Sequence, residues 1–359
     1  MDTSTWTPIP SQSFEPEDFE NTSAPGSLEQ TLRLLEFDQI QSQLAGLART
    51  PIGQEAALAL TPCSDLLEIV TRQQETTEAR QYLEKGSSLE FGPGSDVREY
   101  VQRAMLDGVL RGEELHALEE LLRAARYDHT TLSRHEDLPL LAAMAQNIPD
   151  LQVLEVAIRS AISPTGEILD DASPALRQLR ITARAAYNEL NDVMQRSLRR
   201  LQRQGLVQEP IVTQRNGRLV LLIKSEEKSK APGIVHDVSD SGATVFIEPM
   251  PAIESGNRWR ENRLAEQREE ERVLQHLSAL AGQVGKDIQL TLDLIGRLDL
   301  AMAKGRYSIN RIASPPTIAD PARVDRHLIL TGARHPLLSG SAVPIGIRLA
   351  SGHGVMLIT

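Results

Sequence analysis

The chain has 359 residues, 40% of them hydrophobic, 24% charged and only 3% aromatic, with a formal net charge of −11. A core so poor in rings must be built from Leu, Ile, Val and Ala, which suits packed helices better than a β-sandwich, and an acidic chain confines any nucleic-acid surface to a local patch. A single cysteine, Cys63, excludes an internal disulfide and a cysteine-cluster metal site, and the sequence holds no apolar run of the roughly 18 residues that a membrane span needs.

Taken in chain order, residues 1–26 carry Pro8, Pro10, Pro16 and Pro25 and five acids (Asp2, Glu15, Glu17, Asp18, Glu20) without a Lys or Arg. Such a segment reads as a disordered acidic tail, because it buries too little apolar surface to offset its ordering entropy. It has no basic start followed by an apolar stretch, so no signal peptide is expected. With one cysteine and no membrane span, the expected location is the cytoplasm.

Residues 27–162 read as a helical core domain of short helices. Leu28, Leu32, Leu35, Ile40 and Leu44 recur at helical spacing. Ser64 or Asp65 is placed to cap a helix ending near Glu84, and Ser95-Asp96-Val97 opens another after a Gly/Pro/Ser loop over 86–95. Leu115, Leu118, Leu121 and Leu122 share one face of the stretch from Gly112 to Tyr127.

The segment 163–173 interrupts the pattern, and Ser173-Pro174 is a cap followed by a first-turn proline. Then Leu176, Leu179, Ala183, Ala186, Leu190, Val193, Ser197 and Leu201 step by three and four, a heptad seam. A second seam runs Leu274, Leu277, Ala281, Val284, Ile288, Thr291, Ile295, Leu298, Met302. Two seams around a compact insert predict antiparallel lever arms, 163–204 and 251–310, with the insert 205–250 at their tip. The insert changes to a β-type period over Leu206–Thr213, Arg218–Lys224, Ile234–Val238 and Ala243–Ile247. Asn216-Gly217 marks a hairpin and Asp240-Ser241-Gly242 a further turn. Residues 311–359 open with Pro315, Pro316 and Pro321, and carry strand-like runs at His327–Leu330 and Val355–Ile358. They read as the incomplete start of an α/β domain.

Charge is unevenly spread. Residues 175–230 hold twelve basic residues (Arg177, Arg180, Arg184, Arg196, Arg199, Arg200, Arg203, Arg215, Arg218, Lys224, Lys228, Lys230) against five acids. This basic stretch of an acidic chain would attract phosphates in a salt-dependent way. The arginines of the arm have two readings that the residues alone leave open: contact with nucleic acid, or pairing with Glu261, Glu266, Glu269, Glu270 and Glu271 on the returning arm. At the tip, Arg215, Arg218, Lys224, Lys228 and Lys230 favour nucleic acid. They come without an aromatic platform, so base stacking on single strands is not expected.

No convincing catalytic centre emerges. His236, Asp237 and Ser239 or Ser241 lie too close in sequence for a triad, which assembles from distant segments. Turn-forming is the simpler role for the Asp and Ser residues. The eight histidines include no helical i, i+4 pair for zinc, there is no complete GxxxxGK[ST] loop, and no acidic cluster resembles a two-metal site. Catalytic and metal residues are therefore expected to be none.

The stretch from Gly233 to Pro249, with His236, Asp237, Ser239, Ser241, Gly242, Thr244 and Glu248, resembles the signature of the second, recombination-suppressing and non-mismatch-repair branch of the MutS family. Leu89-Glu90-Phe91-Gly92 with Asp96-Val97-Arg98, and Gly166-Glu167-Ile168-Leu169-Asp170-Asp171-Ala172-Ser173 with Leu176 and Arg177, are similar to its other stretches in order. Ala333-Arg334-His335-Pro336-Leu337 resembles the GRHP-type element that opens the family's ATPase domain, with Ala where Gly is usual; Val355–Thr359 resembles the strand that feeds its phosphate-binding loop.

The resemblance covers about residues 28–359. It implies a helical core, two lever arms and a clamp at their tip. It further implies a dimeric ATPase using ATP and Mg2+, associated with branched or duplex DNA and its cleavage, with suppression of homologous recombination, and with ribosomes and rRNA in collision rescue. The family's phosphate-binding loop, magnesium-binding acids and nuclease domain would fall beyond Thr359. The chain is thus expected to be a non-catalytic portion that binds no ATP by itself, with Arg334, His335 and Pro336 as a scaffold beside the nucleotide site. The signature residues are expected to be structural. The expected fold is mainly α, with coiled-coil arms, a small β-containing clamp and an incomplete α/β start. The rival expectation is a structural coiled-coil dimerisation protein that binds no nucleic acid.

Overall fold

A computed structural model describes residues 25–318, 328–338 and 342–349. The expected tail over 1–24 and the strand over Val355–Ile358 lie outside the described residues, whereas Pro25 and Gly26 already belong to a helix. The fold is mainly helical with a small antiparallel sheet. Among the described residues no helix is long and apolar enough to cross a membrane.

The chain divides into two compact units, Met1–Ser87 with Arg297–Thr359, and Ser88–Gly296. In the first lie α1 (Pro25–Leu34), α2 (Phe37–Ala45), α3 (Pro51–Leu58) and α4 (Leu66–Glu84). The leucine periodicity from Leu28 to Leu44 is split between α1 and α2, because Glu36 takes a left-handed backbone with φ of 52°. Asp65 caps α4 through a hydrogen bond from the Glu68 amide. Leu44, Ala45, Ala48, Ala57 and Ala303 form a small buried cluster. Asp299 is fully buried there, and its Oδ2 accepts from the amides of Arg49 and Thr50 and from the Thr50 hydroxyl.

The second unit begins with α5 (Arg98–Met105), α6 (Gly112–Leu132), α7 (Pro139–Gln146) and α8 (Gln152–Ala161). Leu115, Leu118, Leu121 and Leu122 are buried along α6. Glu155 of α8 is almost fully buried between Arg126 at 2.7 Å and Arg159 at 2.8 Å. The Arg126 hydrogen bond holds its carboxyl below the usual range, against the opposing effect of burial.

From this core rises α9 (Pro174–Arg203), whose cap is Ser173, accepting from the Leu176 amide. The predicted seam is the buried face: Leu176, Ala183, Ala186, Leu190, Ser197 and Leu201 are buried and Leu179 and Val193 half-buried. Beyond Leu190 a second stripe, Met194 and Leu198, is also buried, because the helix there meets a sheet as well as another helix.

That sheet has four antiparallel strands in the order β1-β2-β4-β3: β1 (Val207–Arg215), β2 (Arg218–Lys224), β3 (Gly233–Val238) and β4 (Thr244–Pro249). Asn216 and Gly217 both have positive φ, as a two-residue hairpin turn of the favoured hand requires. Pro210, which cannot donate to a ladder, sits on the edge strand β1, within the register shift between Glu209 and Val212. Leu221, Ile223, Val245 and Ile247 pack against Leu190, Met194, Leu198 and Leu201.

The chain then returns through α10 (Ile253–Gln283). A hydrogen bond and ion pairs fix an antiparallel register: the Ser173 hydroxyl donates to Glu269, Arg180 pairs with Glu266 and Glu270, and Glu189 pairs with Arg258. The next helix, α11 (Gly285–Arg311), is separate. The second predicted seam runs across this break at Val284 as if it were one helix. A Cβ on Gly282 would lie 2.3 Å from the Ala104 carbonyl oxygen, and one on Gly285 would lie 2.2 Å from Met105 Cγ. The backbone is interrupted where it presses closest on α5. Finally β5 (Leu328–Ala333) and β6 (Ile345–Leu349) form an antiparallel pair.

Candidate nucleic-acid interface

The sheet at the end of the α9–α10 arms places the predicted site residues unequally. Arg215, at the end of β1, is 45% exposed; its guanidinium lies 4.5 Å from the Phe246 ring centroid and 3.7 Å from an Asp237 oxygen. Stacking holds the head against the ring, and its Nη1 donates to the Gln214 carbonyl at 3.3 Å. Lys224 is half-buried and Lys228 exposed, and among the described residues neither has a carboxylate within ion-pair distance. Lys230 pairs with Glu227 at 2.7 Å, a surface i, i+3 contact.

Arg218 is different. It is only 18% exposed and donates to Glu248 Oε1 at 3.3 Å. Glu248 is 2% exposed, and its other oxygen lies 2.7 Å from His236 Nε2. His236 occupies a β-bulge, a register shift between Val235 and Asp237. Bulges re-aim side chains, and this one turns the imidazole onto the buried carboxylate. The hairpin joins in, since the Asn216 side-chain amide donates to the His236 carbonyl at 3.3 Å. Arg218, His236 and Glu248 therefore make a buried cross-strand knot linking β2, β3 and β4.

The rest of the signature builds turns. Gly242 has φ of 71° and donates to the Ser239 carbonyl, while Ser239 Oγ accepts from the Thr244 amide. Ser239 and Ser241 hydroxyls are 3.4 Å apart, and the Asp237 carboxylate accepts from the next amide. Gly233 pairs with buried Pro249, and a Cβ there would come within 2.3 Å of the Glu248 carbonyl oxygen. Among the described residues the His236 ring bonds Glu248, and neither serine reaches it.

The arginines of the arm differ in their partners. Arg177 pairs with Asp171, Arg180 with Asp170, Glu266 and Glu270, and Arg184 with Asp170 at 3.6 Å. Arg196, Arg199, Arg200 and Arg203 are exposed, and among the described residues none has a carboxylate partner. These four lie outside the expected site residues; their i, i+3, i+4, i+7 spacing is the local signal that they share one helix face.

At the other end, Arg334 and His335 are exposed, and His335 closes a turn by accepting from the Leu337 amide through Nδ1 and from the Leu338 amide through its carbonyl. The sequence has no complete phosphate-binding loop, and among the described residues no three His, Cys, Asp or Glu side chains gather as metal ligands.

An antiparallel pair of long helices thus carries a small knotted sheet with exposed cations around it. No protein-family model matches the chain. Among curated proteins, the Endonuclease MutS2 of Symbiobacterium thermophilum is 38% identical over 331 residues, 92% of this chain and 41% of that protein. The Endonuclease MutS2 of Pelotomaculum thermopropionicum is 38% identical over 329 residues, 91% of this chain and 41% of that protein. That of Alkaliphilus oremlandii is 32% identical over 335 residues, 92% and 42% of the two chains. The chain belongs to the MutS family, in its MutS2 branch. It spans about two-fifths of the length of the curated relatives it matches.

Proposed function

We propose that this chain is the DNA-gripping portion of a MutS2-type protein, with the sheet at the end of the α9–α10 arms as its clamp. One observation carries the reading: Arg215 and Lys224 on the sheet and Lys228 in the short turn after β2 present cationic groups around a sheet held by its own core and the Glu248 knot, in a chain otherwise acidic. Phosphate contacts of this kind position a protein on a helix without reading its sequence. The mechanism is geometric. Paired helices with an ion-pair register hold the tip at a fixed place, and the knot at Glu248 holds the hairpin that presents Arg215.

For the whole protein the proposal is wider. Its relatives are named endonucleases, and the family resemblance supports ATP and Mg2+ as cofactors, a homodimer, a cytoplasmic location and suppression of homologous recombination. None of these activities is routed through residues of this chain. Binding to ribosomes through rRNA in collision rescue is a second reading, since a clamp that grips phosphates serves either polymer.

The test is binding of the chain to a four-way DNA junction, duplex DNA and ribosomes over a salt series. The expected outcome is DNA binding that weakens steeply with salt. Preferential binding of ribosomes favours the second reading. Binding to none of them at low salt contradicts the proposal and leaves a structural coiled-coil protein.

A further inference from the structure

The end of α9 carries four arginines that its own fold does not use. Arg196, Arg199, Arg200 and Arg203 occupy one exposed stripe over the last two turns. Residues 193–208 contain these four and no acid. Among the described residues none makes an ion pair, although Arg177, Arg180 and Arg184 on the same helix all do. What polar contacts the four make are to the helix itself: Arg199 Nε donates to the Gln195 carbonyl and Arg203 Nε to the Arg199 carbonyl, both at 3.3 Å. Those bonds point the side chains along the helix and leave the outer guanidinium nitrogens free.

A bland reading is that cations favour a helix C-terminus. That effect falls off within the last turn. It serves Arg200 and Arg203, which lie in the last turn, and not Arg196 or Arg199. The planar fork of donors on each Arg suits bidentate contact with phosphate. The stripe lacks stacking partners for bases. Among the described residues the aromatic pair on the arms, Tyr187 with Trp259 at 5.6 Å, is packed on itself, and Tyr187 stands about half a turn round the helix from Arg196.

We infer that this arginine stripe is a second phosphate-binding surface, separate from the tip cations, which engages the sugar-phosphate backbone of a nucleic-acid double helix. The inference rests on the proposed function and extends it from the sheet to the arm. The surface takes the backbone and not the bases, so DNA and RNA helices share the chemistry it recognises.

The experiment compares the chain with a variant carrying Arg196→Gln, Arg199→Gln, Arg200→Gln and Arg203→Gln. A second variant carries Arg215→Ala, Lys224→Ala and Lys228→Ala, and Arg177→Gln is the paired-arginine control. Fluorescence anisotropy reads binding to labelled duplex DNA, duplex RNA and single strands from about 50 to 200 mM salt. The stripe side chains have no carboxylate partner, so the thermal midpoint of the stripe variant stays that of the parent. The expected result is at least tenfold weaker duplex binding and a salt slope shallower by up to about 3–4, near 0.9 for each phosphate no longer neutralised. The control is expected to bind like the parent. An unchanged slope and affinity in the stripe variant, with weakened binding in the tip variant, overturns the inference and leaves the proposed function standing. No duplex binding by the parent overturns both. Binding confined to single strands overturns the backbone reading; comparable binding of both duplexes supports it, and a preference for one names the source.

Discussion

Replacing Glu248 by Ala should unfold the tip before it touches the interface. Glu248 is 2% exposed and serves two partners, Arg218 at 3.3 Å and His236 at 2.7 Å. The substitution leaves Arg218, itself only 18% exposed, without a counter-ion and the His236 ring without its partner. Breaking a buried pair by removing one partner costs about 3–5 kcal/mol, and the residual solvent access of Arg218 places this case near about 3 kcal/mol. For a unit of this size that corresponds to a fall of about 6–12 °C in the unfolding midpoint. Glu248→Gln retains an acceptor and should cost only about 1 kcal/mol. The pair Arg218→Met with Glu248→Leu should recover most of the stability, because apolar groups of similar volume often replace a buried ion pair without penalty. Thermal and urea unfolding followed by far-UV circular dichroism measures all three. If Glu248→Ala unfolds within about 0.5 kcal/mol of the parent, as an ordinary surface substitution does, the knot is not a structural element and the account of the signature residues is wrong.

Two further predictions concern the rest of the second unit. Ser278 is 2% exposed and its Oγ accepts the Leu110 amide at 2.8 Å while donating to the Leu274 carbonyl at 2.7 Å, so Ser278→Ala should cost about 1–2 kcal/mol and expose the Leu110 amide to faster hydrogen exchange. Glu269 is held down to about 2, chiefly by the Arg272 hydrogen bond and then by the Ser173 hydroxyl. A carboxylate lowered in the folded state stabilises it above its unfolded value of about 4.5, and that contribution is lost as pH falls toward about 2. Glu155, lowered by Arg126, acts in the same direction. Unfolding midpoints measured from pH 6 downward, roughly spanning that window, should therefore fall less steeply in Glu269→Gln than in the parent.

The parts of this fold that were legible in the sequence are those set by local rules. Ser173-Pro174 starts α9, the heptad from Leu176 to Leu201 gives its buried face, and Asn216-Gly217 fixes the first hairpin. What was not legible depends on contacts between distant residues. Heptad counting carried the second seam straight through Val284, because periodicity is blind to the close approach of α5; the glycines at 282 and 285 were the only local trace. The role of His236 depends on a bulge, and a bulge exists only relative to the strand it pairs with. Arg218 looked like a tip cation by composition and proved to be the partner of a glutamate thirty residues away. Likewise the arm's arginines divide into paired and free by the register of α9 against α10, which no single helix encodes.

The central claim is that cations presented at the end of the arms grip a polyphosphate backbone. The most direct measurement is the salt dependence of duplex DNA binding by the parent and by the variant Arg215→Ala, Lys224→Ala, Lys228→Ala, with Lys230→Ala, whose side chain is paired to Glu227, as the comparison. The account predicts a slope shallower by about 2–3 in the triple variant and a smaller change in Lys230→Ala. Equal slopes in parent and triple variant would contradict it.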